Sequence, residues 1–176
     1  MSDKLSLQKL ITASLLAALV CVVTMTVKVP SPLNGYLNLG DCIILLSGWL
    51  LPPVYGFLAA GVGSALADLS GYALYAPATL IIKGAMAVIF FFCFKLMKKK
   101  LGSFVSMIIG GVLAEVFMIL GYYVFEGFLY GFAPSAVNIP ANGVQGCAGL
   151  VLGLILIKML EKTKIISNSN IRSKLS

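Results

Sequence analysis

The sequence predicts an all-α integral membrane protein: six transmembrane helices in a bundle, with an ordered extracellular loop between the first two. Composition is the first observation, since 60% of the 176 residues are hydrophobic and only 11% are charged. A soluble domain is about 25% charged. The second observation is that apolar runs of membrane-spanning length recur along the chain. The third is that its positive charge collects at three places, as cytoplasmic loops do.

Six apolar segments define the predicted helices. The first and the last three are each long enough to cross a hydrocarbon core about 30 Å thick at about 1.5 Å per residue. The second and third are short and meet at Pro52 and Pro53, so they could form one kinked span or two short ones. The segments lie at about 8–28, 41–51, 53–68, 76–97, 103–124 and 138–160.

The placement of lysine and arginine decides between these alternatives. Apart from Lys28 and Lys83, the cationic residues, 11 of 13, lie before the first segment, at or between the facing ends of the fourth and fifth, or at and after the end of the sixth. Only an even number of crossings before Lys95 puts all three groups in the cytoplasm, so the short segments count separately. Residues 1–162 then form the membrane domain with both termini cytoplasmic, and 163–176 a polar tail that we expect to be disordered.

The connection at 30–40 is polar and rich in turn-forming residues, although it lies between two apolar segments. Hydrocarbon cannot satisfy such a backbone, so the connection must lie at the interface or line a cavity. Its prolines, glycines and amides indicate an ordered loop. We expect Asn34, Tyr36 and Asn38 to contribute to a binding site. Asp41 follows directly, and we expect it to stabilise the start of the second helix.

Two ionisable residues lie deep within predicted spans, where charge is costly and usually faces a cavity or another charge. Lys83 is about 12 Å from the outer end of the fourth segment, and Glu115 about 18 Å from the inner end of the fifth. In a core about 30 Å thick they lie at one level and could form an ion pair. Asp68, near a helix end, is expected to anchor its loop.

Polar side chains share one face on each of three predicted helices, because they recur at helical spacing. We infer a cavity open to the outside, with Lys83 and Glu115 at its base, amide walls and a tyrosine rim. The alternative is a structural ion pair with amides that hold the helices together. The three sets are Tyr75, Thr79 and Lys83; Glu115, Met118 and Tyr122; and Asn138, Asn142 and Gln145.

Other patterns limit the chemistry. The chain has no histidine, and its four cysteines show no ligand or disulfide spacing, so no metal site is expected. No nucleophile–base pair accompanies Lys83 and Glu115, so we do not expect an enzyme. There is no Gly-rich phosphate loop, so we expect no cofactor and any ATP to be hydrolysed by partner subunits. Ala13 and Ala17 could pack internally or present a smooth strip to such a partner.

Several runs resemble the substrate-binding S components of energy-coupling factor (ECF) transporters, in the branch with riboflavin-type and hydroxymethylpyrimidine-type members. The similarity extends over about 5–162. The runs are Gly-Tyr-Leu-Asn-Leu-Gly-Asp at 35–41, Pro-Pro-Val-Tyr-Gly at 52–56, Ala-Leu-Ala-Asp-Leu at 65–69, Tyr-Ala-Pro-Ala-Thr at 75–79, and Lys-Gly at 83–84.

This resemblance implies a six-helix protein of the bacterial cell membrane that captures a water-soluble vitamin or precursor from outside. It implies a membrane coupling subunit and two ATPase subunits as partners. Ala13 and Ala17 match the small-residue strip that contacts the coupling subunit in that family, and the first loop matches the one that covers the ligand. The alternative function is a stand-alone membrane facilitator or channel for a small polar solute.

The predicted site suits a small heteroaromatic ring with hydroxyls, since tyrosines stack on rings and amides bind ring nitrogens and hydroxyls. A pyridoxine-like or hydroxymethylpyrimidine-like compound fits best, and riboflavin is a rival. Pantothenate fits less well, because Glu115 would oppose the carboxylate that Lys83 could bind.

Overall fold

The computed structural model describes residues 2–33 and 35–163, with only the backbone of 2–6. Each predicted segment corresponds to one helix, and a short helix is added before the last. The connection between the first two helices contains two short strands. The elements are α1 (Ser2–Thr26), β1 (Val29–Pro30), β2 (Tyr36–Leu37), α2 (Asp41–Leu50), α3 (Pro53–Leu69), α4 (Ala76–Leu101), α5 (Ser103–Tyr130), α6 (Phe132–Ser135), a 3-10 turn (Ala136–Asn138) and α7 (Ile139–Lys162).

Four stretches of the described chain are long and apolar enough to cross a membrane: Leu7–Thr26, Ala76–Leu101, Ser103–Tyr130 and Phe132–Lys162. The 10 residues of α2 extend about 15 Å, which is half of a core about 30 Å thick. Pro52 is extended at the start of α3, and Pro53 occupies the first helical position, where its missing N–H costs nothing. Helices α2 and α3 are therefore two separate helices.

Close helix packing depends on glycines that face a neighbouring backbone. Helix α3 packs between α1 and α4, α4 also packs on α5, and α7 covers α2 and α5. A Cβ at Gly48 would lie 2.4 Å from the Ala87 carbonyl oxygen, and one at Gly61 would lie 2.4 Å from that of Leu80. No side chain fits at such a distance, so these contacts require glycine, as membrane helix interfaces commonly do.

The small residues of α1 pack within the bundle. Ala13 is buried, and a Cβ at Gly63 of α3 would lie 2.4 Å from the Ala17 carbonyl oxygen. Ala13 and Ala17 thus take part in internal packing, which was one of the two roles expected for them, while docking of a partner subunit on this strip stays a prediction. The small side chains that α1 exposes are Ser14 and Ala18, on the adjacent face.

The connection between α1 and α2 folds back as a short antiparallel hairpin, in which Val29 pairs with Leu37 and Pro30 with Tyr36. Buried polar side chains gather at this end of the bundle. Toward the opposite end the large buried side chains are apolar, and they include Leu45, Met86, Phe90, Phe94, Met107 and Ile157. The buried hydroxyls of Ser47 and Ser106 there bond to backbone carbonyls of their own helices or helix start.

Candidate functional site

A polar cavity lies next to the hairpin, where five helices and the hairpin converge. Its empty volume is about 470 Å³, which includes space open to solvent. The lining residues are Thr24 of α1; Ser31, Gly35, Tyr36 and Asn38 of the connection; Ser64 and Asp68 of α3; Tyr75, Thr79 and Lys83 of or next to α4; Tyr122 and Glu126 of α5; and Asn142 and Gln145 of α7.

Most of the predicted site residues line this cavity. They are Tyr36, Asn38, Tyr75, Thr79, Lys83, Tyr122, Asn142 and Gln145. Glu115 and Asn138 are buried elsewhere, and Asn34 lies outside the described residues. The structure therefore brings most of the predicted set together, while a role for these residues in binding a ligand stays a prediction.

One face of α4 forms a wall of the cavity. Tyr75, Thr79 and Lys83 follow one another at successive turns, as the spacing predicted. The Thr79 and Tyr122 hydroxyls lie 2.9 Å apart and join α4 to α5. The Lys83 ammonium lies 5.6 Å from the centre of the Tyr122 ring, within cation–π range.

Lys83 forms its ion pair with Asp41, which corrects the predicted pairing with Glu115. Asp41 is the first residue of α2, as expected, but its carboxylate does not cap that helix. One oxygen binds Lys83 and the other accepts a hydrogen bond from Gln145 Nε2 at 2.7 Å. The start of α2 packs between α4 and α7, so the nearest cation belongs to α4. Gln145 Oε1 in turn accepts a hydrogen bond from the Asn38 backbone at 2.9 Å.

Glu115 faces α7 and does not form the base of the cavity. Its side chain is 5% exposed, and neither carboxyl oxygen has a hydrogen-bond partner within the described chain. Gly146 and Gly149 make room for it, since a Cβ at either position would lie 3.2 Å from a Glu115 oxygen. The predicted Lys83–Glu115 base is therefore wrong, and Asp41 replaces Glu115 as the ion-pair partner of Lys83.

Asn138 supports the cavity from behind. It lies in the 3-10 turn before α7, so it does not continue the helical face of Asn142 and Gln145. Its Nδ2 donates to Glu126 Oε1 at 2.9 Å, and its Oδ1 accepts from the Leu33 backbone at 3.3 Å. Asn138 thus positions both Glu126 and the hairpin.

Two acidic lining residues escaped the sequence-based prediction of the site. Glu126 lies beyond the predicted end of its segment, although its spacing of four from Tyr122 puts it on the same helix face. Asp68 was expected to anchor the loop after α3, but it anchors the hairpin by accepting a hydrogen bond from the Tyr36 hydroxyl. Asp68 lies four residues after Ser64, and this helical spacing was the signal in the sequence that could have put both on the face that lines the cavity.

The Tyr36 side chain holds the hairpin against α3. Its ring packs on Tyr72 with centroids 4.5 Å apart, and the Lys28 ammonium lies 4.8 Å from the Tyr36 ring centre. Lys28 also donates to the Ser70 hydroxyl at 3.0 Å. Burial, followed by the hydrogen bond to Asp68, raises the pKa of the Tyr36 phenol, so Tyr36 remains a neutral donor.

Three buried polar atoms of the lining have no hydrogen-bond partner in the described part of the chain: Thr24 Oγ1, Ser64 Oγ and Glu126 Oε2. Buried polar groups in native proteins are nearly always hydrogen-bonded. Their common position at one cavity is what a site for a polar ligand requires.

Comparisons with known proteins agree with this architecture. A solved structure described as the S component of a bacterial ECF transporter superposes with a TM-score of 0.67 at 25% identity, covering 88% of this chain and 96% of that one. An uncharacterized protein from the gap 3′ region of Pyrococcus woesei is 38% identical over 144 residues, 81% of this chain and 95% of the relative. The thiamine precursor transporter HmpT of Lactococcus lactis is 26% identical over 168 residues, 94% of this chain and 95% of HmpT.

The sequence model of one family covers almost the whole described fold. It is the model for the S component of ECF-type riboflavin transporters, and it matches residues 4–162. This is a family of membrane transport proteins and not of enzymes. The chain belongs to the ECF-type riboflavin transporter S component family.

Proposed function

We propose that the protein is the substrate-specificity component of an ECF-type importer, which captures a small vitamin or vitamin precursor outside the cell. The observation that carries this proposal is the polar cavity, with its unpartnered buried atoms, inside a helical bundle of this family. The name of HmpT favours a thiamine precursor as the ligand, and the name of the family favours riboflavin. A pyridoxine-like ring suits the same tyrosines and amides.

The proposed topology has six crossings, with both termini in the cytoplasm and the hairpin outside. Its support is the separation of α2 from α3 and the charge at the end of the bundle opposite the hairpin. The last turn of α4 there contains Lys98, Lys99 and Lys100, and the last turn of α7 contains Lys162. Cytoplasmic segments collect such cations, so the cavity is at the extracellular end.

We propose that transport depends on a membrane coupling subunit and two ATPase subunits, with no cofactor bound by this chain itself. Because Ala13 and Ala17 pack on α3, we assign docking to the exposed side of α1. Ser14 and Ala18 keep that side smooth between large apolar side chains such as Leu15 and Val22. Close approach of a partner helix needs such small residues.

The test is mass spectrometry of small molecules released from the purified protein, followed by titration with riboflavin, pyridoxine, pantothenate and hydroxymethylpyrimidine. A vitamin-like compound bound at a ratio of about one per chain, with a Kd of about 1 μM or tighter, is expected. Failure to bind any of these compounds, together with solute flux into liposomes that contain this chain alone, would contradict the proposal and favour a facilitator.

A further inference from the structure

The charges of the cavity are acidic on balance. Lys83 is the cation that lines it, and its ammonium is already paired with Asp41. Asp68 and Glu126 also line the cavity, and within the described residues neither carboxylate has a cation at ion-pair distance. A ligand that enters therefore meets two carboxyl groups without an ion-pair partner among the described residues and one lysine that is already paired.

Glu126 has an acceptor atom free for a ligand. Its side chain is 2% exposed, and its Oε1 accepts hydrogen bonds from Asn138 at 2.9 Å and from the Tyr75 hydroxyl at 3.3 Å. Its Oε2 is buried at the cavity with no partner in the described chain. A carboxylate oxygen only accepts hydrogen bonds, so the group that satisfies it has to be a donor.

The remaining lining combines tyrosines with polar groups. Tyr75 packs edge-on against Phe125 with centroids 5.4 Å apart, and Tyr122 lies one helical turn before Glu126 on α5. The hydroxyls of Ser64 and Thr24 are unpartnered within the described chain and lie at the same cavity. Aromatic side chains and a few convergent polar groups are the usual composition of a small-molecule site.

We propose that the ligand is a small heteroaromatic amine, which presents an amino group or a protonated ring nitrogen to Glu126. This inference rests on the proposed function and narrows its substrate. Glu126 is then the residue that determines specificity. Compounds with a carboxylate or a phosphate are excluded, because their charge would be buried beside Asp68 and Glu126 while Lys83 remains bound to Asp41.

The experiment measures binding of matched compounds to the purified wild-type chain in nanodiscs by calorimetry. The probes are 4-amino-5-hydroxymethyl-2-methylpyrimidine, the same ring without the amino group, its phosphate ester, riboflavin and pantothenate. We expect the amine to bind at least about tenfold more tightly than the ring without it, as one hydrogen bond to a charged group allows. The phosphate ester and pantothenate should bind more weakly still.

A variant connects this preference to one residue. Glu126→Gln is expected to reduce the preference for the amine to about threefold or less, because a neutral amide oxygen is a weaker acceptor. Glu161→Gln is the matched control, since Glu161 pairs with Lys158 at the other end of α7, and it should preserve the preference.

The wild-type comparison decides the inference even if the Glu126 variant does not fold. Equal binding of the two rings, or tighter binding of riboflavin, pantothenate or the phosphate ester, would overturn it while the proposed function stands. Binding of none of the probes would overturn both.

Discussion

The buried ion pair makes a quantitative prediction about stability. Lys83 is 2% exposed and Asp41 is 0% exposed, and each is the other's ionic partner. Lys83→Met removes the cation and leaves Asp41 buried with Gln145 as its remaining side-chain donor. Removal of one partner of a buried pair costs about 3–5 kcal/mol, because the other charge is left uncompensated. We expect a loss of unfolding free energy in this range.

The double variant separates the pair from general damage to the packing. Asp41→Asn keeps the volume of the side chain and an oxygen for Gln145, but it leaves the Lys83 ammonium unpaired. In the combined variant neither member of the pair is left as an unpaired buried charge, so it should be less destabilised than the sum of the single variants. For contacting residues such coupling is about 0.5–3 kcal/mol, and we expect about 2 kcal/mol here.

Reversible unfolding in mixed micelles, followed by the fluorescence of Trp49, the single tryptophan, measures these values. Lys158→Met is the control, because its pair with Glu161 is 38% and 25% exposed. An exposed pair contributes about 0–1 kcal/mol. Additive effects of the two buried substitutions, or a loss below about 1 kcal/mol for Lys83→Met, would refute the reasoning.

Three further predictions concern the ligand and the partner. Tyr36→Phe removes the hairpin's hydrogen bond to Asp68, so the rate of amide hydrogen exchange at 36–37 should rise about tenfold. An unchanged rate would contradict the view that this hydrogen bond anchors the hairpin. Asn142→Ala should weaken vitamin binding about tenfold without a change in melting temperature; unchanged affinity would remove Asn142 from the site. Ala18→Leu should abolish uptake by cells but preserve binding, whereas Val151→Leu, at an exposed position on α7, should leave both uptake and binding unchanged; normal uptake with Ala18→Leu would refute docking there.

The positions of the helices could be predicted from the apolar pattern, but their ends could not. Helix α4 continues through its lysines to Leu101, and α5 continues through an aromatic stretch to Tyr130. Each is followed by a glycine with positive φ, Gly102 at 79° and Gly131 at 91°. Lysines and aromatic residues mark the membrane interface, whereas these glycines mark the helix ends. The prediction from sequence ended these helices at the interface residues instead of at the glycines.

The difference between local and long-range structure also explains which parts of the site could be predicted. Spacing along α4 correctly put Tyr75, Thr79 and Lys83 on one face, because helical geometry is local. The partner of Lys83 depends on which helices are neighbours and how each is rotated, and no local pattern contains that information. The prediction therefore gave Asp41 a role only at the start of its own helix, α2. Glu126 was missed because the predicted helix ended at 124, two residues before it, whereas α5 continues to Tyr130.

The apolar half of the bundle has a consequence for transport. From Lys83 to Phe94, α4 extends about 16 Å at about 1.5 Å per residue, and the residues that it buries after Lys83 are Gly84, Met86, Ala87, Phe90, Phe91 and Phe94. A polar solute on that route would lose its hydrogen bonds at a cost of about 2–7 kcal/mol for each group. In this conformation the cavity is closed toward the end of the bundle opposite the hairpin. Under the proposed function, delivery of the ligand would therefore require the protein itself to tilt or open, and ATP hydrolysis by the partner subunits would drive that change in the protein.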